Sequence, residues 1–88
     1  MSDSEPLLVF PCEFAVKVMG KNQDDFDLIV TEIILRHVDV IKEGAVRSRP
    51  SKAGNYTAVT VTIDAQSREQ VDAIYLSLTS HPAILMAL

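Results

Sequence analysis

The sequence predicts an α+β domain of the ferredoxin-like βαββαβ type. This is a two-layer sandwich with a four-stranded antiparallel sheet, order 4-1-3-2, and two helices on one face. Three observations predict it. Residues 13–19 and 56–63 alternate apolar and polar side chains with the period of a half-buried strand. Phe26, Ile29, Val30, Ile33, Ile34 and His37 recur at helical spacing and form one apolar stripe. The order strand, helix, strand, strand, helix, strand, with right-handed crossovers, puts both helices on the same side of the sheet.

The first twelve residues read as an N-terminal arm, with Pro6 and Pro11 bracketing the apolar run Leu7-Leu8-Val9-Phe10, which tucks against the domain. The domain proper is expected over residues 13–88. Its first strand, Glu13 to Met19, places Phe14, Val16 and Val18 inward and Ala15, Lys17 and Met19 outward. Gly20-Lys21-Asn22 is expected to turn the chain, with Asn22 as helix N-cap and Asp24 and Asp25 near the positive helix end. Arg36 and His37 suit the opposite end.

A second strand is expected near Gly44 to Arg49, closed by Pro50, and Gly54-Asn55 turns into the third. There Thr57, Val59, Val61 and Ile63 share one face. Ser67 with Gln70 makes a capping box for a helix that places Val71, Ile74, Tyr75 and Leu78 on one face. His81-Pro82 ends that helix, and Ala83 to Leu88 forms a last apolar strand. The two edges of the sheet are then the second and fourth strands. Arg47 and Arg49 on the second discourage edge-to-edge aggregation.

Composition bounds the function. The 88 residues, 48% hydrophobic and 23% charged, make one small globular domain. A net charge of -4 argues against general nucleic-acid affinity, which depends on neutralising phosphates. Against this acidic background, four of the eight basic residues fall between Lys42 and Lys52. Cys12 is the single cysteine, so an intrachain disulfide and a cysteine-cluster metal site are excluded. The first residues carry acids and no base, unlike a signal peptide, and no apolar run approaches the roughly 20 residues of a membrane span. The chain reads as cytoplasmic, without a membrane role and without a cofactor.

Little here resembles catalytic chemistry. Cys12 follows a proline in an apolar setting, where cysteines are packing residues. His37 ends a helix stripe and His81 supports a turn, and no spaced partner for either is evident. Asp24, Asp25 and Asp27 lack the spacing of a calcium loop. The outer sheet face should gather Lys17, Met19, Arg47, Arg49, Tyr56, Thr60 and Thr62. RNA-recognition modules of this topology stack bases on several sheet aromatics, whereas this face offers Tyr56 alone.

The blocks Phe10-Pro11-Cys12-Glu13-Phe14, Lys17-Val18-Met19-Gly20 and Pro50-Ser51-Lys52-Ala53-Gly54-Asn55-Tyr56, followed by Thr60-Val61-Thr62-Ile63, resemble the bacterial YbeD family. The resemblance runs from about Leu8 to Leu88. One departure is Ala53, inserted where the family pattern is more compact. The resemblance implies a fold similar to ACT regulatory domains, which bind small molecules, often amino acids, in the loop after the first strand, here Met19 to Asn22. It brings no catalytic residues.

The sequence therefore supports a non-enzymatic regulatory or binding module acting through protein or small-ligand contacts. Its candidate ligand site is Gly20, Lys21 and Asn22 with Arg49, Ser51, Lys52, Gly54, Asn55 and Tyr56, suited to a small anion or amino acid. An ACT-like metabolite sensor is the alternative, and single-stranded RNA binding is the least favoured. The uncharged last strand invites a homodimer through its edge, and a further protein partner is open.

Overall fold

A computed structural model of the chain describes residues 9–50 and 54–88. Six elements follow in the expected order: β1 (Cys12–Lys21), α1 (Phe26–Leu35), β2 (Val46–Pro50), β3 (Tyr56–Ala65), α2 (Arg68–Thr79) and β4 (Ile84–Ala87). The sheet order is β2-β3-β1-β4, every pairing is antiparallel, and the fold is the ferredoxin-like α+β sandwich.

Alternation decides the two central strands. Val16 and Val18 of β1 and Val59, Val61 and Ile63 of β3 are buried toward the helices. They meet Phe26, Val30, Ile33 and Ile34 of α1 and Val71, Ile74 and Leu78 of α2. Each such side chain contributes about 1.5–3 kcal/mol when fully removed from water, so this layer is the main source of stability.

The boundaries differ from the sequence expectation in instructive ways. Cys12 already belongs to β1, opposite Ala65, and Phe10 packs against the core while Val9 is exposed; Leu7 and Leu8 lie outside the described residues. Gly20 and Lys21 are the last residues of β1 rather than a turn, because β3 is long enough to pair with both. Asn22 does not cap α1. Its side chain bonds the hairpin exit instead, and Asp25 takes the cap position without a side-chain cap bond. Asp27, rather than Asp24, stands in the first turn of α1.

α1 stops at Leu35, so His37 follows the helix and its N–H donates to Ile34 O at 2.9 Å. β2 runs from Val46 to Pro50, after a turn at Gly44 (φ +83°), and Gly54 (φ +75°) leads into β3; both take the left-handed conformation that costs glycine least. The capping box on α2 is offset: Ser67 Oγ accepts from Gln70 N at 3.1 Å, but Gln70 Oε1 accepts from Gln66 N at 2.7 Å. β4 is four residues long, although Leu88 continues its ladder by exchanging main-chain bonds with Lys17.

Candidate functional site

The open face of the sheet, away from the helices, collects three cations that have no ion pair among the described residues. Register sets its rows. Arg47 pairs with Thr60, which pairs with Lys17, and Lys17 is bonded to Leu88. In the next row Arg49 pairs with Ala58, Ala58 with Met19, and Met19 with Met86. With strands about 4.8 Å apart, the backbones of Arg47 and Lys17 lie about 10 Å apart across Thr60.

The face thus grades from basic at β2 to apolar at β4. Met86 and Leu88 are 49% and 70% exposed, and Met19 is 39% exposed. A shallow trough of about 510 Å³ between Arg47, Arg49 and Lys17 runs on into an apolar one of about 140 Å³ against Met19, Met86 and Leu88. Among the described residues, Lys17, Arg47 and Arg49 have no ion pair. The acids of this face, Glu13 and Asp64, stand opposite each other at its far end, and Asp64 is 3.3 Å from Lys42 Nζ. The helix layer is of the other sign: Asp24, Asp25, Asp27, Glu32, Glu69 and Asp72 outnumber Arg36 and Arg68.

The predicted ligand residues are brought together in large part. Lys21 pairs with Tyr56, and Asn22 N donates to Asn55 O at 3.0 Å. Asn22 Nδ2 donates to Gly54 O at 2.9 Å, and its Oδ1 accepts from the buried Thr57 hydroxyl at 2.8 Å. Arg49 stands on the neighbouring strand; Ser51 and Lys52 lie outside the described residues. Within this cluster the polar side chain of Asn22 is engaged in folding. Asn22 is a clamp between the end of β1 and the start of β3. Gly20 is walled in: an added Cβ would lie 2.3 Å from Phe26 Cε1 and 2.4 Å from Ala83 O.

The chemistry expected to be absent needs one correction. A serine does stand beside a histidine: His37 Nε2 is 2.8 Å from Ser77 Oγ. The two residues are 40 apart in sequence, so spacing gave no sign of the pair. Its setting is structural. Both side chains are part-buried where the end of α1 meets α2, and Gln70 Nε2 donates to His37 O at 2.8 Å beside them. A nucleophile–base pair acts only with its base oriented and an oxyanion site in reach. Among the described residues no carboxylate is hydrogen-bonded to the imidazole. The pair reads as a strut between helices.

The remaining polar groups also have local work. His81 Nδ1 accepts from Ala83 N at 3.0 Å and shapes the turn after α2. Cys12 is half-buried against the core. Among the described residues no cluster of three or more His, Cys, Asp or Glu is placed to hold a metal, and no helix is long and apolar enough to cross a membrane. What sequence reasoning missed as a site residue is Lys17, which joins the two arginines through Thr60. Its outward register in β1 was the available signal.

Comparison with known proteins bears on identity. A UPF0250 protein of Chromobacterium violaceum is 45% identical over 89 aligned residues, covering 100% of both chains. Another, from Paraburkholderia phytofirmans, is 41% identical over 87 residues, 99% of this chain and 98% of the relative. The solution structure of protein HP0495 from H. pylori superposes with a TM-score of 0.77 over 96% of this chain and 88% of that one, at 14% identity, which speaks to the fold alone. The family described as "Protein of unknown function (DUF493)" matches residues 5–88. These findings agree with the YbeD-like resemblance, and the chain belongs to the DUF493 family.

Proposed function

We propose that the protein is a non-enzymatic, cytoplasmic binding module whose working surface is the open sheet face, and that it takes an anionic partner there. The observation that carries this reading is the trio Lys17, Arg47 and Arg49, exposed and without an ion pair among the described residues, on a chain of net charge -4. Like charges held together on a pleated surface are unfavourable in isolation. An incoming anion relieves that repulsion. The apolar strip of Met19, Met86 and Leu88 beside the cations adds contact area, and arginine and methionine are enriched in protein interfaces.

Titration of the isotope-labelled protein with pyrophosphate and with glutamate tests the reading by amide shifts. Shifts should concentrate at Lys17, Arg47, Arg49 and Thr60. Shifts absent there, or equal at Arg36 and Arg68 of the helix layer, would refute it. An ACT-like metabolite site in the Met19–Asn22 segment has less support, since Gly20 is packed and Asn22 is engaged. RNA stacking has less still, as Tyr56 is the one aromatic on this face among the described residues.

A second reading concerns β4. It is a sheet edge with Leu85 52% exposed and no charge, which favours a second copy pairing there. Light scattering at micromolar concentration should then give a dimer, and Leu85→Lys a monomer with unchanged circular dichroism. A wild-type monomer removes this reading.

A further inference from the structure

The edge of β2 carries an inference about what kind of anion the sheet face receives, and it rests on the reading of that face as the working surface. β2 is the outermost strand on its side of the sheet. Ala45 O accepts from Thr62 N at 3.0 Å, which turns the main chain of residue 45 toward β3. Antiparallel ladders alternate, so Arg47 and Arg49 also bond inward while Val46 and Ser48 direct their N–H and C=O groups outward. Pro50, which has no N–H, falls at an outward position where the ladder loses nothing. Among the described residues no partner meets these outward groups.

Side chains complete the pattern. Arg47 and Arg49 project onto the open face two residues apart, about 7 Å along the strand. Val46 faces the other way and packs against the core. A strand added at this edge would place every second side chain directly beside one of the arginines and satisfy the outward amides at the same time. An acidic helix could meet the guanidinium groups but would leave the main-chain edge unpaired. A second copy is disfavoured, because two β2 edges would set arginine against arginine.

We propose that the free edge of β2 takes up an extended segment of a partner protein, with Asp or Glu at alternate positions, as a fifth strand of the sheet. The partner's acids sit beside Arg47 and Arg49, and its intervening side chains lie on the helix side near Val46.

The test uses the intact protein and three synthetic peptides: one alternating Glu and Val, one of the same composition with its Glu residues in a block, and one alternating Lys and Val. The Glu–Val peptide should shift the Arg47 and Arg49 signals and slow amide exchange at Val46 and Ser48. Arg47→Glu with Arg49→Glu should weaken that peptide roughly tenfold and admit the Lys–Val peptide instead, a reversal no folding defect can mimic. If the block peptide binds equally and leaves exchange at Val46 and Ser48 unchanged, strand addition is refuted while the anion-binding face stands. Strand addition is likewise refuted, and the face retained, if pyrophosphate shifts the face and no peptide binds. If neither pyrophosphate nor any peptide acts, both readings fall.

Discussion

Gly20→Ala separates a ligand-loop glycine from a packing glycine, and the sign of its effect decides. Gly20 is not among the positive-φ glycines, so its backbone accepts alanine. With open space around it, the substitution would stabilise the protein by about 0.4–1 kcal/mol through the unfolded chain. The space is closed, however: the new Cβ would sit 2.3 Å from Phe26 Cε1, 2.4 Å from Phe26 Cζ and 2.4 Å from Ala83 O. Ordinary carbon contacts lie at about 3.5–4.0 Å, so the overlap exceeds roughly 1 Å on two sides.

Neither wall yields readily. The Phe26 ring is 1% exposed in the centre of the core, and Ala83 O is main chain just ahead of β4. Overpacking costs about 1–3 kcal/mol, and two stiff neighbours place this case near 3. A domain of this length has about 4–13 kcal/mol in total, so the loss is a large fraction. It should lower Tm by roughly 12–24 °C. Urea unfolding followed by circular dichroism measures the loss. In a Phe26→Leu background the cost of Gly20→Ala should fall by about 1 kcal/mol, because one wall has receded. A neutral or stabilising Gly20→Ala would refute the packing argument and return Gly20 to the candidate ligand residues.

Asn22→Ala should cost about 1–3 kcal/mol in urea unfolding, since it strips Gly54 O and the buried Thr57 hydroxyl of their partner; pyrophosphate shifts at Lys17 and Arg47 should persist in it. Tyr75 titrates above its usual value because burial disfavours the phenolate. The folded state therefore holds this proton more tightly than the unfolded one. Its contribution is fully present below about pH 10 and is lost as pH rises through the folded value. Wild type should lose urea resistance in that alkaline window more steeply than Tyr75→Phe; parallel profiles would remove the assignment.

What the sequence revealed followed from repetition. Val16 and Val18, and Val59, Val61 and Ile63, repeat every second residue, and one face of each strand is buried as that pattern demands. Phe26, Val30, Ile33 and Ile34 recur at helical spacing and form the buried side of α1. Single residues with distant partners were opaque. Asn22 looks like a helix cap because the cap is local, whereas the carbonyl and hydroxyl that compete for it lie 32 and 35 residues away. Gly20 resembles a turn until Phe26 and Ala83 are seen against it. The His37–Ser77 contact belongs to helix packing, which no spacing encodes. For the candidate site, Arg47 and Arg49 were visible as a run of charge, but the link through Thr60 to Lys17 needed the sheet order.

The unlike charge of the two layers has a consequence for how the molecule sits at a surface. Among the described residues Asp24, Asp25, Asp27, Glu32, Glu69 and Asp72 lie on the helix layer and Lys17, Arg47 and Arg49 on the sheet face, so these two sets of charge give the domain an electric moment directed across its thin dimension. A positively charged matrix should therefore hold it helices down. The sheet face then stays turned to solution, available to a partner even while the protein is immobilised, and the negative total alone gives no hint of that orientation.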